Sequence, residues 1–334
     1  GKMSKSNPDS IIDPLDVIPK YGTDSLRLSL LVGQAPGNDM RIFEEKIACY
    51  RNFCNKLWNI ARFVESVVPD DFNRGKLNLK TPADHWIMTR LSTTLAEAEK
   101  LMDEYEIGKA YEKIYHFIWD EYADWYIETS KINLNPEVLV YVLEAALKMA
   151  HPYAPFVTET IWDTLQWEET LLIQSEWPTA KEGDAKQVKD FEQLSAIVRE
   201  VRHLHSQLNM NDSHLYHSGS DFLESHQTLL VALTPLKAVK QVKDGKGLHL
   251  TSTIDKAWLD VELQHAQSYI KKLEEKRERE AENVKMLKTR LKNKAYVANA
   301  PKGLVEETKK QLKAAEDMFD TLSSEIENFQ TAMN

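Results

Sequence analysis

The sequence predicts a mainly α chain: a helical bundle, then a small α+β subdomain, then a carboxy-terminal antiparallel coiled-coil hairpin. Three observations carry this. Through residues 42–67, Phe43, Ile47, Tyr50, Cys54, Leu57, Ala61 and Val64 recur at three- and four-residue steps, the period of an amphipathic helix. Residues 107–132 hold an aromatic stripe of Tyr111, Tyr115, Phe117, Trp119, Tyr122, Trp125 and Tyr126, which as a pattern is usually core. Two heptad series close the chain. Ile270, Leu273, Arg277, Glu280, Val284, Leu287 and Leu291 form the first, and Val305, Thr308, Leu312, Ala315, Phe319, Leu322, Ile326 and Phe329 the second. Asn299-Ala300-Pro301 stands in the link between them.

Taken in order, residues 1–20 read as loop, because Asn7-Pro8-Asp9 and Asp13-Pro14 are turn chemistry. Leu26, Leu28, Leu30 and Leu31 fit a short buried helix over 22–32, closed by Gly33 and Pro36-Gly37. After the 42–67 helix, Thr81 is an N-cap, Pro82 a first helical residue and Asp84 a first-turn acid, so a helix runs from there to about Tyr105. Beyond the aromatic helix, Pro136 opens another that ends near His151-Pro152, and a short one spans about 155–166. Such helices with short links describe a bundle. Trp177-Pro178 and residues 179–184 read as a linker, followed by a helix over about 187–209. Residues 214–217 and 237–242 read as strands around a helix at 222–233, with 249–250 and 258–261 as further short strands. The expected divisions are therefore 1–40, 41–180, 181–262 and 263–334. Each closing helix is about 25–30 residues, a reach on the order of 40 Å.

The length suits two or three domains. No run of eighteen apolar residues occurs, and the first residues are polar with no secretory h-region. Cys49 and Cys54, five apart on a helix, fit neither a zinc site nor a disulfide framework and read as reduced thiols. His203-x-His205 and His214-x-x-His217 have spacings a metal can use, but no cysteine is near and Asp212 is the only carboxylate at ligand spacing. No metal site is expected. No Ser-His-Asp order, P-loop or dinucleotide fingerprint is present.

Net charge is −10, which taken whole argues against nucleic acid. The distribution argues otherwise. Lys271, Lys272, Lys276, Arg277, Arg279, Lys285, Lys288, Arg290, Lys292 and Lys294 face five Glu in the same stretch, a net of +5, while residues 303–334 carry −4. A basic helix against an acidic one favours pairing and leaves positive charge along one edge. That edge suits phosphates, although the same run on an arbitrary protein is more often a solvated coiled-coil face.

The opening Lys2-Met3-Ser4-Lys5-Ser6 resembles the signature loop of class I aminoacyl-tRNA synthetases. Loss of pyrophosphate from ATP builds charge on the β- and γ-phosphates, and flexible ammonium groups suit that developing charge. The resemblance implies that Lys2 and Lys5 are catalytic and that Lys2, Ser4, Lys5 and Ser6 bind ATP. A Gly-Asn pair usually follows this loop; here Asn7-Pro8-Asp9-Ser10 stands there, about one residue longer. Residues 21–27, Tyr-Gly-Thr-Asp-Ser-Leu-Arg, resemble the connection from catalytic loop to bundle in this subclass. Residues 50–59, Tyr-Arg-Asn-Phe-Cys-Asn-Lys-Leu-Trp-Asn, resemble the first bundle helix of valyl-tRNA synthetases. Asp124-Trp125-Tyr126-Ile127-Glu128 and residues 151–159 are similar to segments shared by the valyl, isoleucyl and leucyl families. The hairpin link at residues 296–301, Tyr-Val-Ala-Asn-Ala-Pro, is similar to the arm of the valyl family; the isoleucyl and leucyl families end differently.

The resemblance implies a carboxy-terminal portion of a valyl-type synthetase. The bundle is then an anticodon-binding domain and the hairpin lies against the outer corner of tRNA-Val. No His-x-Gly-His signature occurs in these 334 residues, so ATP with Mg2+ and valine are expected to engage only in the full enzyme, with no cofactor on this portion alone. A cytoplasmic monomer is implied, with no DNA or membrane partner. RNA loops are read by stacking and side-chain hydrogen bonds, which makes Arg51, Asn55, Lys56, Arg199 and Arg202 candidates for the anticodon, although such residues are more often surface or helix-packing groups. The competing readings are an isoleucyl or leucyl relative and a stand-alone coiled-coil adaptor.

Overall fold

A computed structural model describes residues 12–33, 42–69, 72, 77–167, 169–243, 247–253, 255–293 and 302–333. The opening loop with Lys2, Ser4, Lys5 and Ser6, together with Lys294 and the link at 296–301, lies outside the described residues. The chain divides into two compact units, Gly1–Glu192 and Gln193–Asn334.

The first unit is helical. Its first helix corrects the sequence reading, since residues 14–21 are not loop. Asp13 caps α1 (Pro14–Tyr21), accepting a hydrogen bond from the Leu15 amide at 2.8 Å, with Pro14 at the first helical position. An Asp-Pro pair serves a turn or a helix start equally well; here the burial of Val17 with Leu26 and Ile47 selects the helix. Then come α2 (Thr23–Leu31) and α3 (Glu44–Val67), the latter burying Ile47, Phe53, Leu57, Ile60, Ala61 and Val64 on one stripe. At the start of α4 (Pro82–Asp103), Thr81 is the N-cap that the sequence predicts, and Asp84 completes a reciprocal capping box with it.

The aromatic helix is continuous but not uniformly α. After α5 (Ile107–His116) it widens into a π-helical segment (Phe117–Tyr126) and closes with α6 (Ile127–Ser130). The wider turn keeps Phe117, Ile118, Tyr122, Ala123 and Tyr126 buried together. Two phenols lock it: Tyr122 Oη donates to the Leu139 carbonyl at 2.8 Å and Tyr126 Oη to Asp84 Oδ1 at 2.6 Å.

α7 (Pro136–Ala150) is buried almost all round, as a central helix must be. α8 (Pro155–Leu165) follows, and Asp24 of α2 accepts the Val157 amide at its N-terminus at 2.6 Å. The stretch read as a linker is irregular yet pinned. Gly183 donates its amide to Thr89 Oγ1 at 2.8 Å, and a Cβ at Gly183 would lie 2.4 Å from the His85 carbonyl oxygen. Only glycine allows that approach. α9 (Ala185–Leu208) begins in the first unit and ends in the second.

The second unit opens on a four-stranded sheet in the order β2-β1-β4-β3, from β1 (Ser213–His217), β2 (Leu236–Gln241), β3 (Leu248–His249) and β4 (Ala257–Leu259). β1 runs parallel to β2 and antiparallel to β4. The crossover from β1 to β2 is not one helix over 222–233 but two, α10 (Asp221–Ser225) and α11 (Gln227–Leu233), broken at His226, where φ is −105° and ψ 8°. Gly247, at φ +122°, leads into β3; a Cβ there would stand 2.1 Å from the Leu259 carbonyl oxygen. Glu200 of α9 clamps the loop after β3, with Oε1 accepting the Thr251 amide at 2.7 Å and Oε2 the Ser252 amide at 2.8 Å.

The hairpin comprises α12 (Leu263–Lys292) and α13 (Lys302–Met333). Contact of the Tyr269 and Phe329 rings, 5.0 Å apart and tilted by 59°, and an ion pair of Lys288 with Glu316 at 2.7 Å mark the antiparallel register. The foreseen seam positions Val305, Thr308, Ala315, Leu322, Ile326 and Phe329 are all buried. On α12 the seam is apolar at Ile270, Leu273 and Leu287, but half-buried Arg277 and Glu280 stand between them.

Two stability predictions follow from these contacts. Asp84→Ala strands four donors and is expected to lower unfolding stability in urea by roughly 3 kcal/mol, against about 1 kcal/mol for Tyr126→Phe; an unchanged midpoint for Asp84→Ala would contradict the role given to it. In the second unit, burial holds buried His205 below its ordinary 6.5. Burial alone would raise Glu200, but the hydrogen bonds from Ser252 and Thr251 prevail and hold it below 4.5. Both folded values are depressed. Their stabilisation is thus complete above the unfolded values and is lost as the pH falls, through the histidine first and the carboxylate later. Urea titrations from pH 7 downward should show falling stability that His205→Gln blunts in the upper part of that window.

Candidate nucleic-acid interface

Along α12, Lys271, Lys272, Lys276, Arg279, Lys285, Lys288, Arg290 and Lys292 are exposed. Arg277 is the exception, half-buried in the seam. Lys288 is shared with Glu316 of α13. The row presents exposed ammonium and guanidinium groups spaced along one helix, a geometry for phosphates at several positions rather than for one fixed ligand.

Arg51, Asn55 and Lys56 stand together on α3. Arg51 and Asn55 are exposed, with the Arg51 guanidinium 5.6 Å from the Tyr21 ring centroid. Lys56 is held in place: its Nζ lies 2.5 Å from Asp124 Oδ1 and 4.2 Å from the Trp119 ring centroid. Arg199 and Arg202 are on α9 in the other unit. Arg199 Nη2 donates to Ser195 Oγ at 3.3 Å. Arg202 Nε donates at 2.7 Å to the carbonyl of Leu233, the last residue of α11, so part of its guanidinium closes a helix end.

Sequence reasoning missed an aromatic ladder beside Lys56. Phe53 stacks on Tyr115 at 5.1 Å, and Tyr115 on Trp119 at 5.7 Å and 13°. The four-residue step from Tyr115 to Trp119 was its only signal. The π-helical turn carrying Trp119 also carries exposed Asp120 and Asp124, and His116 Nδ1 lies 2.7 Å from Asp120. This rim is therefore mixed in charge rather than basic.

An open cleft of about 460 Å³ lies among Arg27, Lys148, His151, Pro155, Ile173 and Trp177. Its cations are engaged within the unit: Lys148 with Glu144 at 3.2 Å, Arg27 with the Pro152 carbonyl at 3.5 Å, and His151 with Thr158 at 2.8 Å. Burial holds His151 below its ordinary value.

The histidine spacings do not converge. His205 Nε2 lies 2.9 Å from Ser213 Oγ, and His217 Nδ1 accepts the Ser220 amide at 3.0 Å. His214 and His217 occupy opposite faces of β1. Among the described residues no group of three His, Cys, Asp or Glu stands ready to hold a metal ion. Burial pushes the Cys54 thiol up to about 12, which makes it inert at neutral pH. Among the described residues no helix is long and apolar enough to cross a membrane.

Comparison with known proteins adds three findings. Residues 84–217 match the model of the anticodon-binding domain of tRNA ligase. The valine–tRNA ligase of Thermotoga maritima is 33% identical over 97% of this chain, and that of Staphylococcus carnosus 34% identical over 98%. The Staphylococcus epidermidis valine–tRNA ligase is 42% identical over 62% of the chain. The chain spans 39% and 40% of the length of the first two relatives and 25% of the third. A solved LeuRS–tRNA–LeuAMS complex from Agrobacterium radiobacter K84 matches at TM-score 0.43 and 20% identity over 54% of this chain and 22% of that one, too loose to carry an argument.

The placements separate structural from available cations. Arg202→Ala is expected to cost about 1–2 kcal/mol in urea unfolding through the freed Leu233 carbonyl. Arg51→Ala is expected to stay within about 0.5 kcal/mol of the parent. Equal effects would contradict the assignment of Arg202 to packing.

Proposed function

The chain belongs to the valine–tRNA ligase family, and from that premise we propose that it is the tRNA-binding, carboxy-terminal portion of such an enzyme. The observation that carries the reading is the row of exposed cations along α12, mounted on a hairpin roughly 45 Å long. An arm of that length spreads phosphate-binding charge over several turns of helix. Each phosphate it neutralises adds salt-dependent affinity but no sequence information.

Sequence information is then the task of the bundle. Exposed Arg51 and Asn55 offer donors and acceptors to unstacked bases of the anticodon loop, with Lys56 fixed by Asp124 and Trp119 as a positioning residue rather than a free contact. Arg199 remains a candidate on α9. Arg202 serves chiefly in packing.

In the full enzyme the reaction is ATP-dependent attachment of valine to tRNA-Val. ATP and Mg2+ supply the activated phosphoryl chemistry that makes valyl-adenylate. The contribution of this chain to that step is Lys2 and Lys5, meeting charge as pyrophosphate departs, with Ser4 and Ser6 donating hydrogen bonds to the same oxygens. This part of the reading rests on the pentapeptide alone. The enzyme is read as a cytoplasmic monomer with no DNA or membrane partner.

Two outcomes are expected. The purified chain should show no valine-dependent pyrophosphate exchange above a buffer control; measurable exchange would contradict the division of labour. Joint reversal at Lys285, Lys288 and Arg290 to Glu should weaken binding of valine tRNA transcript at least about tenfold and flatten its log-affinity against log-salt slope by about two. An unchanged slope would make the arm purely structural.

A further inference from the structure

The open face of the small sheet carries a row of side chains that neither the bundle nor the arm accounts for. Tyr216 of β1 stands in register with Lys240 of β2 on one side and Trp258 of β4 on the other. Trp258 in turn stands opposite His249 of β3. One line therefore crosses all four strands: Lys240, Tyr216, Trp258, His249. At ordinary strand spacing it is about 14 Å long.

The strand alternation puts this line on the solvent side. Leu215, His217, Ala257, Leu259 and Leu248 are buried on the opposite parity, whereas Tyr216 and Trp258 are half-exposed and Lys240 and His249 exposed. His214 extends the row along β1, its ring nearly parallel to Tyr216 at 6.1 Å and 11°. His249 meets Trp258 edge-on at 5.9 Å and 88°. Asp260 flanks the row beside β1, 3.7 Å from His214 and 3.5 Å from the Tyr216 hydroxyl. At the β2 end the exposed Lys240 side chain makes no hydrogen bond or ion pair with any described residue.

We infer that this face is a stacking platform for unpaired nucleotides of RNA. Cross-strand aromatic pairs stabilise any sheet, and that alone explains Tyr216 against Trp258. It does not explain a cation and an imidazole continuing the same line on the two outer strands, with no aliphatic side chain among the four. An apolar protein partner would find little to bury here. A nucleotide finds π-faces on neighbouring strands for successive bases and an ammonium beside them for a phosphate. Four-stranded sheets bind single-stranded RNA in this manner, and base–aromatic stacking tolerates any sequence. The inference deepens the tRNA reading and rests on it for the ligand class, but it adds a contact to unpaired nucleotides distinct from the basic arm.

The test uses the whole chain and two probes: valine tRNA transcript, and a short unstructured oligoribonucleotide carrying a photoreactive thiouridine. The oligonucleotide is expected to cross-link to Tyr216 or Trp258, and to keep doing so in the arm-reversed variant. Tyr216→Leu and Trp258→Leu should each weaken its binding about tenfold, while Tyr216→Phe stays within about twofold. Lys240→Gln should lower the salt slope by about one. Cross-links confined to the arm or the bundle, or oligonucleotide affinity indifferent to both leucine variants, would overturn the platform and leave the tRNA reading standing. Failure of the unmodified chain to bind either probe would overturn both. Cross-link mapping on that unmodified chain keeps the result decisive if a leucine variant does not fold.

Discussion

One buried carboxylate organises the first unit. Asp84 sits in the first turn of α4, where Oδ2 accepts the Lys80 amide at 2.8 Å, the Thr81 amide at 3.0 Å and Asn135 Nδ2 at 2.9 Å. Its Oδ1 takes the Tyr126 hydroxyl at 2.6 Å. A charge removed from water must be matched by donors, and here the donors come from three places in the chain. They tie the start of α4, the end of the π-helical segment and the turn before α7. The consequence reaches the surface. With Tyr126 anchored, the π-helical turn holds Trp119 and Asp124 where they receive Lys56 of α3. The proposed positioning of Lys56 thus depends on a hydrogen bond in the core.

The second unit relies on shape and charge instead. Glu200 and Gly247 set the loops around a small sheet, and a hairpin follows whose two helices carry opposite net charge. Its seam is apolar at both ends and polar at Arg277 and Glu280. A polar seam residue fixes register at a cost in stability. The cations not used in pairing remain outside.

Much of this was legible in residues. Thr81-Pro82 with Asp84, the three- and four-residue steps of α3, and the two closing heptad series each state an element through local chemistry. What stayed hidden depended on tertiary contacts. Asp13-Pro14 reads as turn until Val17 finds Leu26 and Ile47 to bury against. The π-helical segment has no periodic signature, because the aromatic stripe fits an α-helix equally well until Tyr126 is claimed by Asp84. For Lys56 and Arg202 the residues left anticodon contact and helix packing both open; only the fold shows one on Asp124 and Trp119 and the other on the Leu233 carbonyl. The row from Lys240 to His249 spans four strands, so no window of sequence contains it.

The central claim is a division of labour, with specificity in the bundle and salt-dependent affinity in the arm. Its most direct test is equilibrium binding of the purified chain to valine tRNA and to the same tRNA with a changed anticodon, each at several salt concentrations. The account predicts weaker binding of the changed tRNA at every salt, with parallel salt slopes for the two. Equal affinities would contradict it, because recognition by the bundle would then be absent from this chain.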